Sequence, residues 1–100
     1  MFDLSDKVAL VTGGSRGIGR AVSVALAEAG AFVVVNYASN EEAARETVGL
    51  IEQAGGRGEA RKFDVADAEA VREAVDAVHK AQGRLHILVN NAGGALDQLL

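Results

Sequence analysis

The chain has 100 residues, of which 49% are hydrophobic, 24% charged and 4% aromatic. That is the size of one small domain and an ordinary composition for a folded globular chain, which argues against disorder. The net charge of −4 comes from 14 acidic and 10 basic residues that are interspersed, with no basic stripe and no cysteine. Nucleic acid and an anionic membrane surface are therefore poor candidate partners, and disulfides, thiol catalysis and cysteine metal sites are excluded.

No apolar stretch approaches the length of a membrane span. The start, Met1-Phe2-Asp3-Leu4, lacks the basic region and apolar core of a signal peptide, so the expected location is the cytoplasm. Proline is absent, where a chain of this length usually has about five. The 12 glycines cluster, as they do where the backbone turns tightly or approaches something closely. With few aromatics, the core must be built from Val, Leu, Ile and Ala.

Val8-Ala9-Leu10-Val11-Thr12 is a continuous apolar run ending in glycines, the pattern of a strand buried on both faces. Ile18, Ala21, Val22, Ala25, Leu26 and Ala29 recur at helical spacing and predict a helix closed by Gly30. Phe32-Val33-Val34-Val35-Asn36 is a second buried strand. Ser39 to Glu42 fits a capping box for a second helix, with a buried stripe of Ala44, Val48 and Ile51 and a stop at Gly55-Gly56. Arg57 to Val65 contains a third strand, whose Glu59, Arg61 and Lys62 suit a sheet edge. Asp67 caps a third helix with the stripe Val71, Val75 and Val78, ended by Gly83. Leu85 to Val89 is a fourth strand, and Leu96 to Leu100 look like the start of a further helix.

Strands alternating with helices predict an α/β fold with a parallel sheet and right-handed crossovers. The doubly wound, Rossmann-like arrangement puts the four strands in the order 3-2-1-4 with helices on both faces. The charged third strand then lies at one edge. The fourth lies at the other, although Leu85, Ile87, Leu88 and Val89 read as an interior strand that expects a neighbour.

The strongest motif is Thr12-Gly13-Gly14-Ser15-Arg16-Gly17-Ile18-Gly19. Gly13, Gly17 and Gly19 stand at Gly-x-x-x-Gly-x-Gly spacing between a predicted strand and a predicted helix, the context a phosphate-binding turn requires. A helix N-terminus offers unpaired N–H groups and a positive dipole end, which an anionic pyrophosphate reaches only if no side chain blocks the backbone. Gly13 suits the tight turn, Gly17 the close approach and Gly19 helix–strand packing. The spacing differs from Gly-x-x-x-x-Gly-Lys-Ser/Thr, which disfavours an ATPase loop. The alternative is a glycine turn with no ligand.

This motif, together with Asn90-Asn91-Ala92-Gly93 after the fourth strand, resembles the short-chain dehydrogenase/reductase family. With Val35-Asn36-Tyr37, Asp64-Val65 and Ile87-Leu88-Val89, the chain is most similar to the family's 3-oxoacyl-[acyl-carrier-protein] reductases. The resemblance covers essentially the whole chain and less than half of such an enzyme. It implies that Gly13, Ser15, Arg16, Gly17, Ile18 and Gly19 hold the pyrophosphate and adenine ribose. It implies that Asp64 and Val65 bracket the adenine, and that Asn90, Ala92 and Gly93 line the cofactor at the end of the fourth strand. Asp64 as a solvated strand-end residue and Asn90 as a brace of the sheet are the plainer alternatives.

An acid at the end of the second strand would bind a ribose 2′-hydroxyl and repel a 2′-phosphate. Here stand neutral Asn36, then Tyr37, Ala38 and Ser39, with Arg16 able to approach from the turn. A cation and hydroxyls favour the extra phosphate, so NADP(H) is expected over NAD(H). Arg16 as a mere solvated turn residue is the alternative.

The family's acid–base tyrosine is followed by a lysine four residues on, with a serine upstream; the lysine charge lowers the tyrosine pKa. This chain has one tyrosine, Tyr37, with Glu41 four residues on, and its lysines are Lys7, Lys62 and Lys80. None fits, so no catalytic residue is assigned, and the resemblance implies that the catalytic half lies outside this sequence. Gly94 and Ala95 also depart from the Ile-Thr that often follows in the reductases. His79 and His86 have no neighbouring ligand pattern and read as structural or surface residues, with no metal site. Three readings follow: a dinucleotide-binding module without catalysis, a reductase completed by a separate chain, and a fragment that self-associates through its exposed fourth strand.

Overall fold

In a computed structural model residues 3–91 are described. The elements alternate as β1 (Val8–Thr12), α1 (Gly17–Glu28), β2 (Phe32–Tyr37), α2 (Glu41–Gln53), β3 (Arg57–Lys62), α3 (Ala68–Gln82) and β4 (Ile87–Asn90). The sheet runs β3-β2-β1-β4, with every pair parallel. The expected Rossmann-like order is therefore the observed one.

Both strands at the centre are apolar on both faces because both faces are covered. On one face Val11, Val33 and Val35 pack with Ala27 of α1 and with Ala44 and Ile51 of α2. On the other, Val8, Leu10 and Val34 pack with Ala74 and Val78 of α3 and with Phe63. Charged β3 occupies one edge, where Arg61 pairs with Glu59 on the same strand at 3.2 Å. At the other edge Leu88 of β4 is 59% exposed.

Three local expectations are corrected. The fully buried residues of α1 are Gly19, Ser23 and Ala27, and Leu26 of the expected stripe packs partly buried against the core with Val24, while Ala21 and Ala25 face outward and Ile18 is 73% exposed. At its N-terminus the helix lies so close to the glycine turn that a Cβ on Gly19 would collide with the Gly13 carbonyl, so small residues mark the most buried face of α1. Ser23 is tolerated there because its hydroxyl donates to the Gly19 carbonyl at 2.8 Å.

The start of α2 is capped by Asn40, whose Oδ1 accepts from the Ala43 N–H at 3.0 Å. Ser39 lies one residue before the cap, so the reciprocal Ser39–Glu42 box does not form. Asn40 reaches the third helical N–H by itself, and Glu41 and Glu42 complement the dipole from the first turn. The fourth strand also begins later than expected, at Ile87, and runs on to Asn90, whereas the third lies within the expected Arg57 to Val65.

The predicted cap of α3 is present, since Asp67 accepts from the N–H groups of Glu69 and Ala70. Gly83 ends the same helix in the left-handed conformation at φ 86°. The start of β4 is tied to β1 by His86, whose N–H donates to the Val8 carbonyl at 2.9 Å. Its ring Nδ1 accepts from the Val8 N–H at 3.1 Å, which requires the neutral ring. Leu96 to Leu100 lie outside the described residues. Among the described residues no helix is long and apolar enough to cross a membrane.

Candidate functional site: a crevice over the glycine turn

The carboxyl ends of the four strands open into one crevice of about 780 Å³. It reaches from the ends of β3 and β2 across β1 to Asn91, at the point where the strand order reverses between β1 and β4 and where open parallel sheets bind ligands. Its first wall is the turn from β1 to α1, with Gly13, Ser15, Arg16 and Ile18 facing the space. Its second wall is the end of β2 and the connection to α2, from Asn36 through Tyr37, Ala38 and Ser39 to Asn40. Phe63, Asp64 and Val65 after β3, and Asn91 after β4, complete it.

The first intrahelical bond of α1 runs from the Arg20 N–H to the Arg16 carbonyl at 3.3 Å. Gly17, Ile18 and Gly19 therefore present N–H groups without helical partners. The first turn of α1 contains no acid, and Arg16 is the N-cap residue with no side-chain cap of its own. A positive dipole end, three turn amides and a cation thus share one wall. At Gly17 φ is +63°, and a Cβ built there meets nothing within 4 Å, so the space before the turn is open. Gly19 is the opposite case. A Cβ on it would collide with the Gly13 carbonyl and come within 2.8 Å of the Asn91 side-chain nitrogen.

Asn36 is only 2% exposed, and its amide is engaged on both sides. Oδ1 accepts from the Gly13 N–H at 3.0 Å, and Nδ2 donates to the carbonyls of Phe63 at 3.0 Å and Tyr37 at 3.4 Å. Its own carbonyl takes the Gly14 N–H at 3.1 Å. Asn36 lines the crevice, yet its side chain joins the glycine turn to the ends of β2 and β3. Asp64 is exposed and closes a turn by accepting from the Ala66 N–H at 2.9 Å through Oδ1. Val65 beside it is 36% exposed.

At β4 the two asparagines divide their roles. Asn90 is not among the lining residues, and its Oδ1 accepts from the Thr12 hydroxyl at 3.2 Å. Asn91 lines the crevice; its backbone N–H donates to Thr12 Oγ1 at 2.9 Å and its Nδ2 to the Gly13 carbonyl at 3.2 Å. Sequence reasoning did not single out Asn91 as a site residue. Ala92 and Gly93 lie outside the described residues. Also missed were Asn40, Phe63, Arg20 and Thr47, since only the fold brings Arg20 within 2.9 Å of Thr47, 27 residues away. Among the described residues no three His, Asp or Glu side chains gather as a metal site would require.

The family model for short chain dehydrogenases matches residues 7–99. The chain belongs to that family. It is 46% identical over 91 residues to the short-chain dehydrogenase/reductase homolog YusS of Bacillus subtilis (strain 168), covering 91% of this chain and 84% of that protein. A dehydrogenase/reductase from Sinorhizobium meliloti 1021 superimposes with a TM-score of 0.87 at 49% identity, over 91% of this chain and 36% of the other. A short chain dehydrogenase from Burkholderia cenocepacia J2315, crystallised in complex with NADP, gives a TM-score of 0.84 at 51% identity. That match covers 97% of this chain and 41% of the other. The chain thus spans most of YusS and well under half of the two solved dehydrogenases.

Proposed function

We propose that this chain is an NADP(H)-binding module equivalent to the N-terminal half of a short-chain dehydrogenase/reductase of the 3-oxoacyl-[acyl-carrier-protein] reductase type. The observation that carries the reading is the chemistry of the two facing walls. One is an acid-free helix N-terminus headed by Arg16, and the other runs from Asn36 to Asn40 with no carboxylate.

A dinucleotide fits these residues. The amides of Gly17, Ile18 and Gly19 suit the pyrophosphate, while Gly13 and Ser15 keep the turn close to it. Arg16, Tyr37 and Ser39 line the crevice and would hold a 2′-phosphate, for which a charged guanidinium and a hydroxyl are stronger partners than for a plain ribose. Asp64 and Val65 offer an acceptor and an apolar flank to the adenine. Asn91 and, through Thr12, Asn90 set the end of β4 beneath the cofactor, with Ala92 and Gly93 following. When bound, the nicotinamide supplies hydride chemistry; this chain's own residues bind and orient. Calorimetric titration of the chain with NADP⁺ and then NAD⁺ tests the reading. Saturable binding with NADP⁺ preferred is expected, and tighter NAD⁺ binding overturns the preference.

A second reading is favoured by one observation: Leu88 lies 59% exposed on an edge strand. A second copy pairing along β4 would satisfy the strand edge and cover that side chain. The mass in analytical ultracentrifugation is then expected to rise with concentration, and a monodisperse monomer across the range contradicts it.

A further inference from the structure

Arg20 is the fourth residue of α1, near the helix end where the dipole disfavours a cation. Its side chain is turned away from the crevice wall and into the junction with α2. Nη2 donates to the Ser15 carbonyl at 2.7 Å, to the Ala43 carbonyl at 2.9 Å and to Glu46 Oε1 at 3.3 Å. Nε donates to Thr47 Oγ1 at 2.9 Å. Thr47 is fully buried, and its hydroxyl in turn donates to the Ser15 carbonyl at 2.9 Å. The Glu46 contact contributes little, because that carboxylate is 62% exposed.

Two donors from α1 and α2 therefore converge on one carbonyl of the glycine turn. In a trans peptide the C=O and the following N–H point in opposite directions. Fixing the Ser15 carbonyl toward α2 fixes the plane of the 15–16 peptide and turns the Arg16 N–H the other way. Arg16 is the N-cap of α1 and lines the crevice. The second acceptor of Arg20 belongs to Ala43, whose N–H is held by the Asn40 side chain, and Asn40 lines the opposite wall. One guanidinium thus ties the turn to the end of the wall that faces it.

We propose that Arg20 and Thr47 are positioning residues: a clamp of a half-buried guanidinium and a buried hydroxyl that sets the shape of the anion-binding turn and its distance from residues 38–40 without touching the dinucleotide. A brace for packing alone would need acceptors in the two helices only. This one places its shortest bond on the turn itself. The part concerning cofactor rests on the dinucleotide reading above, whereas the part concerning the shape of the turn does not.

The test uses the full chain and the variants Thr47→Val, Thr47→Ser and Arg20→Lys. Amide hydrogen exchange is followed by NMR beside NADP⁺ titrations. Thr47→Val keeps the volume and removes the hydroxyl, and Thr47→Ser keeps the hydroxyl. Exchange of the hydrogen-bonded amides that frame the turn, those of Gly13, Gly14 and Arg20, is expected to quicken about tenfold in Thr47→Val and Arg20→Lys, and NADP⁺ binding to weaken about tenfold, the scale of one hydrogen bond to a charged group. The β1 and β2 amides should be unchanged, and Thr47→Ser should restore both readings. Unchanged turn amides in Thr47→Val, equal acceleration of the β1 and β2 amides, or Thr47→Ser behaving as Thr47→Val each overturns the clamp. If the parent chain fails to bind NADP⁺ while the turn amides alone respond, the clamp stands and the dinucleotide reading falls.

Discussion

Asn36 shows how a residue can satisfy two demands at once. From the sequence, a neutral side chain at the end of β2 reads as a choice of cofactor. In the fold it is also a structural requirement, because Nδ2 faces the carbonyls of Phe63 and Tyr37. A carboxylate there would meet two acceptors with no hydrogen to offer. Asn36→Asp is therefore expected to lower stability by about 2 kcal/mol, the cost of leaving buried acceptors unpaired, measured by urea unfolding. An unchanged midpoint would show that these contacts contribute nothing. The glycine spacing was legible because it is contiguous and each glycine has a local steric reason. The roles of Asn36, Asn91, Arg20 and Thr47 were not, because each depends on a partner at least 23 residues away in the chain.

Among the elements, the caps separate what spacing predicts from what geometry selects. Ser39–Glu42 and Asn40–Ala43 are both three apart, and only the path of the chain after Tyr37 decides which residue caps α2. Asn40→Ala is expected to cost about 1 kcal/mol, while Ser39→Ala should stay within about 0.5 kcal/mol; thermal unfolding of the two variants compares them. The β4–β1 junction carries a pH dependence. Partial desolvation first, then the charges of Lys7 and Arg84, lower the His86 pKa below its ordinary 6.5. The neutral ring accepts from Val8, so the folded chain resists a proton that the unfolded chain takes up. Stability is full above about 6.5 and is lost as pH falls below it, toward the lower folded value. Urea midpoints measured across that window should fall with pH, and His86→Gln should remove this component.

For the molecule as a whole, the edges matter most. β3 is protected by its own charges, with Arg61 and Glu59 paired on the strand, and that protection is readable in the sequence. β4 has none. Leu88→Glu is expected to shift stability by no more than about 0.5 kcal/mol, since the side chain is 59% exposed. It should abolish any concentration-dependent mass seen by ultracentrifugation. An unchanged mass dependence would place self-association on another surface. The crevice is also a property of the whole molecule, because its walls come from the ends of all four strands and no single segment encodes its width.

Alternation of strand and helix, the glycine turn, the Asp67 cap and the charged β3 edge are local patterns, and they determined the α/β class, the strand order and the position of the crevice. Tertiary structure alone decided which face of α1 is buried, which asparagine faces the crevice, and how Arg20 and Thr47 hold the turn. The physical reason is common to all three. Each depends on how closely one element approaches another, and that distance is set by packing across the sheet, not by the periodicity within one segment.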